Sequence, residues 1–155
     1  MTQTTLTDAL TQPKPSPSAQ GQRCAVTSLW NSKPWVEKAR RSAAALTKLQ
    51  PNWDDQGSPA PKRIVLDVLD RLIGHIECYD LTTAHIGPVS GGGVGIEWRY
   101  GMRDLNIEIL ADGSLEYLKA EKSLTGFDSM EMVDGRIASD RLNDVRPLVR
   151  WLLGS

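Results

Sequence analysis

Between Val94 and Ile109 apolar and polar residues alternate so strictly that paired strands, each burying one face, are the arrangement that satisfies them. Val94, Ile96, Trp98 and Tyr100 alternate with Gly95, Glu97 and Arg99, and Leu105, Ile107 and Ile109 alternate with Asp104, Asn106 and Glu108. Successive strand side chains point to opposite sides, so each apolar set shares one face. With Gly101-Met102 as a two-residue turn that places Gly first, Trp98 faces Leu105, Ile96 faces Ile107 and Val94 faces Ile109. Arg99 then lies opposite Asp104, a favourable cross-strand pair.

The next connection, Ala111-Asp112-Gly113, suits a three-residue hairpin with Gly in the left-handed position. It sets Leu115 opposite Ile109 and Tyr117 opposite Ile107, so the apolar residues of all three strands share a face. A two-residue Asp-Gly turn would shift the register by one and put Glu116 among the isoleucines, and is rejected. The fold class expected is α+β: an antiparallel β-meander, with 94–118 at its centre, of three to five strands with about three helices packed on one face.

The flanking segments supply those helices. From Ser32, able to cap, and Pro34 in the first turn, Val36, Ala39, Ala43 and Leu46 recur at spacings of three and four, an amphipathic helix over about 33–49. Lys38, Arg40, Arg41 and Lys48 occupy its other face. After a linker of turn residues holding Trp53, a Ser58 cap leads into a second helix. There Ile64, Val68, Leu72 and Ile76 form one ridge beside Val65, Leu69 and Ile73. From Ser139 the spacing of Leu142, Val145, Val149 and Leu152 is helical again, with Gly154 as an end cap and Pro147 marking a kink or a start near Asp144. Residues 84–90 read as a strand that Pro88 confines to an edge. Residues 127–133 are a further candidate strand, with Asp134-Gly135 as its turn.

Residues 1–27, rich in Thr, Gln, Ser and Pro, read as a disordered tail, leaving residues 28–155 as a single α+β domain. Pro13, Pro15 and Pro17 would also suit a polyproline ligand. A chain of 155 residues with 40% hydrophobic residues is long enough for one real core. A net charge of −1 gives no reason to expect a nucleic-acid surface, although the Lys38/Arg40/Arg41 face is a local basic patch. No stretch approaches the roughly 20 apolar residues of a membrane span, and two cysteines, Cys24 and Cys78, are too few for a disulfide framework. The expected location is cytoplasmic, with no cofactor and no membrane partner.

Several constellations have chemical readings. The run Ser90-Gly91-Gly92-Gly93-Val94-Gly95 lacks the following helix and the Lys-Ser or Lys-Thr of a phosphate loop, so it reads as a connection between strands. His75, Cys78 and His85 are the candidate metal ligands; with no Cys-x-x-Cys unit beside them, a buried thiol with surface imidazoles is the expectation. A dyad of Cys78 with His75 or His85 is the nucleophilic alternative, with Cys78 in the last turn of a helix, away from an N-terminus that would lower its pKa. On the polar sheet face, Glu108 falls opposite Glu116 with Glu97 diagonal to them, and like charges so placed are destabilising. Three compensations are open: solvent and salt, an intramolecular cation such as Lys119, or a basic partner or bound cation. Trp53, beside Trp30 and Trp35, is expected to plug the junction of the first two helices while Asp54 or Asp55 bonds the turn; its alternative is a binding hot spot.

The motif Trp53-Asp54-Asp55-Gln56-Gly57-Ser58, then a helix, then Gly93-Val94-Gly95-Ile96-Glu97-Trp98 and a hairpin at Asp112-Gly113, resembles an uncharacterised group of small bacterial proteins. Those proteins share a Trp-Asp-x-x-Gly turn, a helix and a strand ending in Glu-Trp. The resemblance covers about 50–118 and departs at Asp55, where Gly is expected. It implies a bacterial or mobile-element origin and a helix-to-meander order, and brings no activity. The functional expectation is a non-enzymatic protein-protein interaction factor of accessory, immunity or antitoxin type. Its partner is another protein, met through Glu97, Glu108 and Glu116, the edge strand at 84–90, or Trp53, and a homo-oligomer through a sheet edge is compatible with it. The alternatives are a small metal-dependent enzyme using His75, Cys78 and His85, and a nucleic-acid-binding accessory protein.

Overall fold

The computed structural model describes residues 32–123 and 130–155; the proposed tail and Trp30 lie outside them. The alternating stretches become the middle of a five-stranded antiparallel sheet in sequential order. Its strands are β1 (His85–Val89), β2 (Gly93–Tyr100), β3 (Arg103–Ile109), β4 (Leu115–Lys122) and β5 (Met130–Ile137). The pairings read from alternation are the observed ones: Trp98 with Leu105, Ile96 with Ile107, Val94 with Ile109, Arg99 with Asp104, then Ile109 with Leu115 and Ile107 with Tyr117. Gly101 turns the first hairpin at φ 59° and Gly113 the second at φ 86°, a region costly for any residue with a Cβ. Around Gly113 the Leu110 carbonyl accepts the Gly113 N–H at 2.8 Å and the Leu110 N–H reaches the Ser114 carbonyl at 2.8 Å, which closes the three-residue loop.

Three helices, α1 (Pro34–Leu46), α2 (Arg63–Ile76) and α3 (Val145–Leu153), lie on the apolar face. Val65, Val68, Leu69, Leu72, Ile73 and Ile76 of α2 are all buried there, each removal of such a side chain from water contributing roughly 1.5–3 kcal/mol. Ile64, expected on the same ridge, is instead half-exposed and leans over the turn at Gly113. Neither expected serine caps a helix. The N-cap residues are Lys33 and Lys62, while Ser32 donates to Glu37 at 2.9 Å and Ser58 is engaged elsewhere. At the C-terminal end a 3-10 turn over Leu142–Asp144 precedes α3, so Pro147 falls in the first helical turn, where its missing N–H costs no intrahelical bond.

Side-chain donors tie the helices together at their ends. The Trp35 indole donates to the Tyr79 carbonyl at 3.0 Å, Lys33 to the Cys78 carbonyl at 2.8 Å, and Arg146 to the His75 carbonyl at 3.3 Å. Each carbonyl lies at or just past the C-terminus of α2, where acceptors have no intrahelical donor.

One strand corrects its expectation. Asp134-Gly135 is not a turn: β5 runs straight through it, pairing Tyr117 with Gly135 and Leu118 with Asp134. A Cβ on Gly135 would meet the Tyr117 hydroxyl oxygen at 2.5 Å, so this glycine makes room for a neighbouring ring rather than for a bend. The part of the expected strand at 127–129 lies outside the described residues.

Candidate functional site

Strand alternation divides the side chains of the sheet between two environments. The face opposite the helices carries, row by row across the strands, Gly95, Glu108, Glu116 and Arg136; then His85, Glu97, Asn106, Leu118 and Asp134; then Arg99, Asp104, Ala120 and Met132. The middle of this face is hollowed into a depression of about 440 Å³, lined by Thr83, His85, Glu97, Arg99, Asp104 and Asn106 around Leu118 and Ala120. Leu118 and Ala120 give it an apolar floor, which continues on β5 to Met132 and Met130, 58% and 46% exposed.

Charge is distributed unevenly around it. Arg99 and Asp104 form a tight pair at 2.7 Å, and the Asp104 carboxylate, with Glu97 adding to it, raises the Arg99 pKa further. Arg136 lies 3.6 Å from Glu116, and so supplies the cation that the opposed Glu108 and Glu116 need. Lys119 does not: by register it lies on the helix-covered face, where it stands 4.9 Å from the Trp151 ring centre, with Arg103 also over that ring at 5.4 Å. The Glu108 side chain leans over Gly93. Glu97 enters no ion pair among the described residues and remains exposed at the wall of the depression. Of the four residues expected to meet a partner, Glu97 alone lines the depression; Glu108, Glu116 and Trp53 do not.

Trp53 belongs to a different construction. It is half-buried, outside the core, with its indole donating to the Pro59 carbonyl at 3.3 Å. It therefore does not plug the helix junction. Asp54 organises the loop instead: it accepts the N–H groups of Gln56 and Ser58 at 3.0 and 3.1 Å and the Ser58 hydroxyl at 2.5 Å. Those bonds, led by the hydroxyl, hold the Asp54 pKa below its ordinary value against the opposing effect of burial. Buried Ser58 in turn meets the Ser90 hydroxyl at 3.1 Å, and Pro59 packs against Gly92. The glycine run is thus the hairpin turn between β1 and β2, and the loop before α2 is clipped onto it. Asp55 sits at φ 58°, the conformation in which glycine is unstrained.

His75, Cys78 and His85 are not brought together. His75 lies on α2, against the covered face, while His85 faces the other side of the sheet opposite Glu97. Cys78 is exposed and disulfide-bonded, so it is neither a buried thiol nor a ready nucleophile. Among the described residues, no group of three His, Cys, Asp or Glu side chains is placed to hold a metal ion. On α1, Arg40 is paired with Glu77 at 3.3 Å and Arg41 with Glu37 at 4.0 Å, which neutralises part of the basic patch. No described helix is long and apolar enough to cross a membrane.

The residues that sequence reasoning missed are Asn106, Leu118, Ala120, Met132 and Arg136. Leu118 and Ala120 were derivable, since the register of the second hairpin already places them beside Asn106 and Asp104. Met132 and Arg136 were not, because the turn signal of Asp134-Gly135 hides the full length of β5. Comparisons with protein-family models, curated proteins and solved structures found no match to this chain.

Proposed function

We propose that this protein is a non-enzymatic interaction factor that binds another protein through the uncovered face of its sheet. The observation that carries this reading is the depression of about 440 Å³, with its apolar floor of Leu118 and Ala120 and, on its wall, Glu97 in no ion pair among the described residues. An apolar floor ringed by polar side chains favours a seated side chain with a polar end, and desolvating the floor supplies affinity. A carboxylate beside that floor favours a partner residue with an aliphatic stem and a cationic head, a Lys or Arg flanked by apolar neighbours. Met132 and Met130 extend the contact, their flexible side chains adapting to an irregular surface.

The accessory, immunity or antitoxin role, the bacterial or mobile-element origin and the likeness to the Trp-Asp-x-x-Gly group belong to this same proposal and rest on the sequence features given above. So does a cytoplasmic location, in which the bond at Cys78 would be reduced; binding must then survive reductant.

The test is affinity capture from the native lysate followed by direct titration of the captured protein against variants. Glu97→Lys and Leu118→Asp, each with unchanged circular dichroism, are expected to weaken binding by about tenfold or more. Trp53→Ala, away from the depression, is expected to leave it within about threefold. Equal affinity for wild type and Glu97→Lys would overturn the reading, as would loss of binding in Trp53→Ala alone.

A further inference from the structure

The two edges of the sheet are not equivalent. β1 is five residues long, holds Pro88, which lacks an N–H, and packs against α1. Those are ordinary protections against strand addition. β5 is eight residues long and pairs with β4 at every position from Met130 to Ile137, so no bulge interrupts it, and it contains neither proline nor lysine. Among the described residues only β4 pairs with it. Residues 130–134 are all exposed, Val133 by 41%.

The geometry points to a second copy of this chain as the occupant of that edge, joined by two-fold antiparallel pairing of β5 with β5 centred on Gly135. A two-fold axis perpendicular to a continuous sheet sets residues i and j opposite each other with i + j constant and even, because opposed side chains share a face. Centred on Gly135, Asp134 lies opposite the partner's Arg136, and Arg136 opposite the partner's Asp134. On the other face Val133 meets the partner's Ile137, twice by symmetry. Moving the centre to residue 134 opposes Asp134 to itself, and moving it to 136 opposes Arg136 to itself. Like charges directly opposite are destabilising, so the pattern selects one register over both neighbours.

The charges available fit this arrangement. Asp134 has no ion pair among the described residues, and Arg136 spans to Glu116 at 3.6 Å. In the dimer Arg136 stands between Glu116 of its own chain and the partner's Asp134. Edge pairing does not rest on the open-face reading: it joins the backbone edge of β5 to a second copy, whereas that reading seats a different protein over Leu118, Ala120 and Glu97.

The experiment is sedimentation velocity of the full chain over micromolar concentrations, run with and without reductant so that strand pairing is told apart from any cysteine cross-link between copies. Wild type is expected to be a dimer. Asp134→Arg and Arg136→Asp, each checked for folding by circular dichroism, are each expected to weaken dimerisation by about tenfold or more. In a mixture of the two variants, both arginines of the Asp134→Arg chain fall opposite the two aspartates of the Arg136→Asp chain, so complementarity returns at both sites and a heterodimer is expected. A monomeric wild type overturns the proposal. A dimer that tolerates Asp134→Arg, or folded variants that stay monomeric when mixed, overturns it as well.

Discussion

The two faces of the sheet are made by the same five strands, residue by residue in alternation, yet they are held by different physics. On the covered face Val94, Ile96, Leu105, Ile107, Ile109 and Leu115 are each at most 1% exposed and packed under three helices. On the other face the principal interactions are ion pairs between exposed or half-buried side chains, Arg99 with Asp104 and Arg136 with Glu116. Apolar burial is strong and is not screened by salt, whereas exposed pairs contribute little and are screened. The consequence is a division of labour: folding stability resides on one face, and the other is free to change its chemistry without unfolding the chain.

The widest separation between the faces is expected from truncation. Ile107→Ala should cost about 3–4 kcal/mol of unfolding free energy in urea titrations, while Leu118→Ala, next to it in the sheet but on the open side, should cost about 1 kcal/mol or less. Equal losses would mean that the open face is not open. Gly135→Ala forces a methyl group into the Tyr117 ring and is expected to cost about 1–3 kcal/mol by the same titration. Tyr117→Ala in the same background should recover much of that loss, which separates crowding from strand propensity.

Acid provides a third comparison, between the clipped loop and the rest of the surface. Asp54 and Asp112 are held below the ordinary carboxylate range, chiefly by the hydroxyls of Ser58 and Ser114 respectively. A carboxylate whose folded pKa is depressed favours folding when ionised. That contribution is complete above about pH 4–5 and fades as pH falls through the lowered folded values. Asp54→Asn removes the Asp54 share, so its stability deficit relative to wild type should be present at pH 7 and shrink toward pH 2. A deficit that is constant with pH would assign the loss to packing instead.

Smaller effects sharpen the contrast on the open side. A double-mutant cycle on Glu116 and Arg136 should return about 0.2–1 kcal/mol at low salt and less at high salt, since both side chains are more than half exposed. Asp55→Gly relieves a left-handed residue in the loop before α2, and is expected to raise the thermal midpoint by about 1–3 °C.

The three central strands were legible because they encode their own register. Each apolar residue has one partner that keeps the others on the same side, and a slip of one residue would bury Glu116. The helices were legible in their buried ridges and less so at their ends, where Ser32 and Ser58 looked like caps and found other acceptors in Glu37 and Asp54. Asp134-Gly135 carried a turn signal that the neighbouring Tyr117 overrode. Of the site, Glu97 was visible as a polar residue on a half-buried strand. The depression around it was not, because its floor comes from β4 and its rim from β1, β2 and β3.

By itself the sequence determined the hairpins, the register of β2, β3 and β4, and the face that had to be buried, all set by side chains a few residues apart alternating with period two. Only the tertiary structure decided which cation neutralises Glu116, that Lys119 turns to Trp151, that Trp53 leaves the core, and that β5 continues through Asp134-Gly135 to form an edge. Except at Trp53, whose indole is held by the nearby Pro59 carbonyl, those outcomes depend on residues brought together across long separations in the chain, where local propensity carries no information and the packing of specific neighbours governs the result.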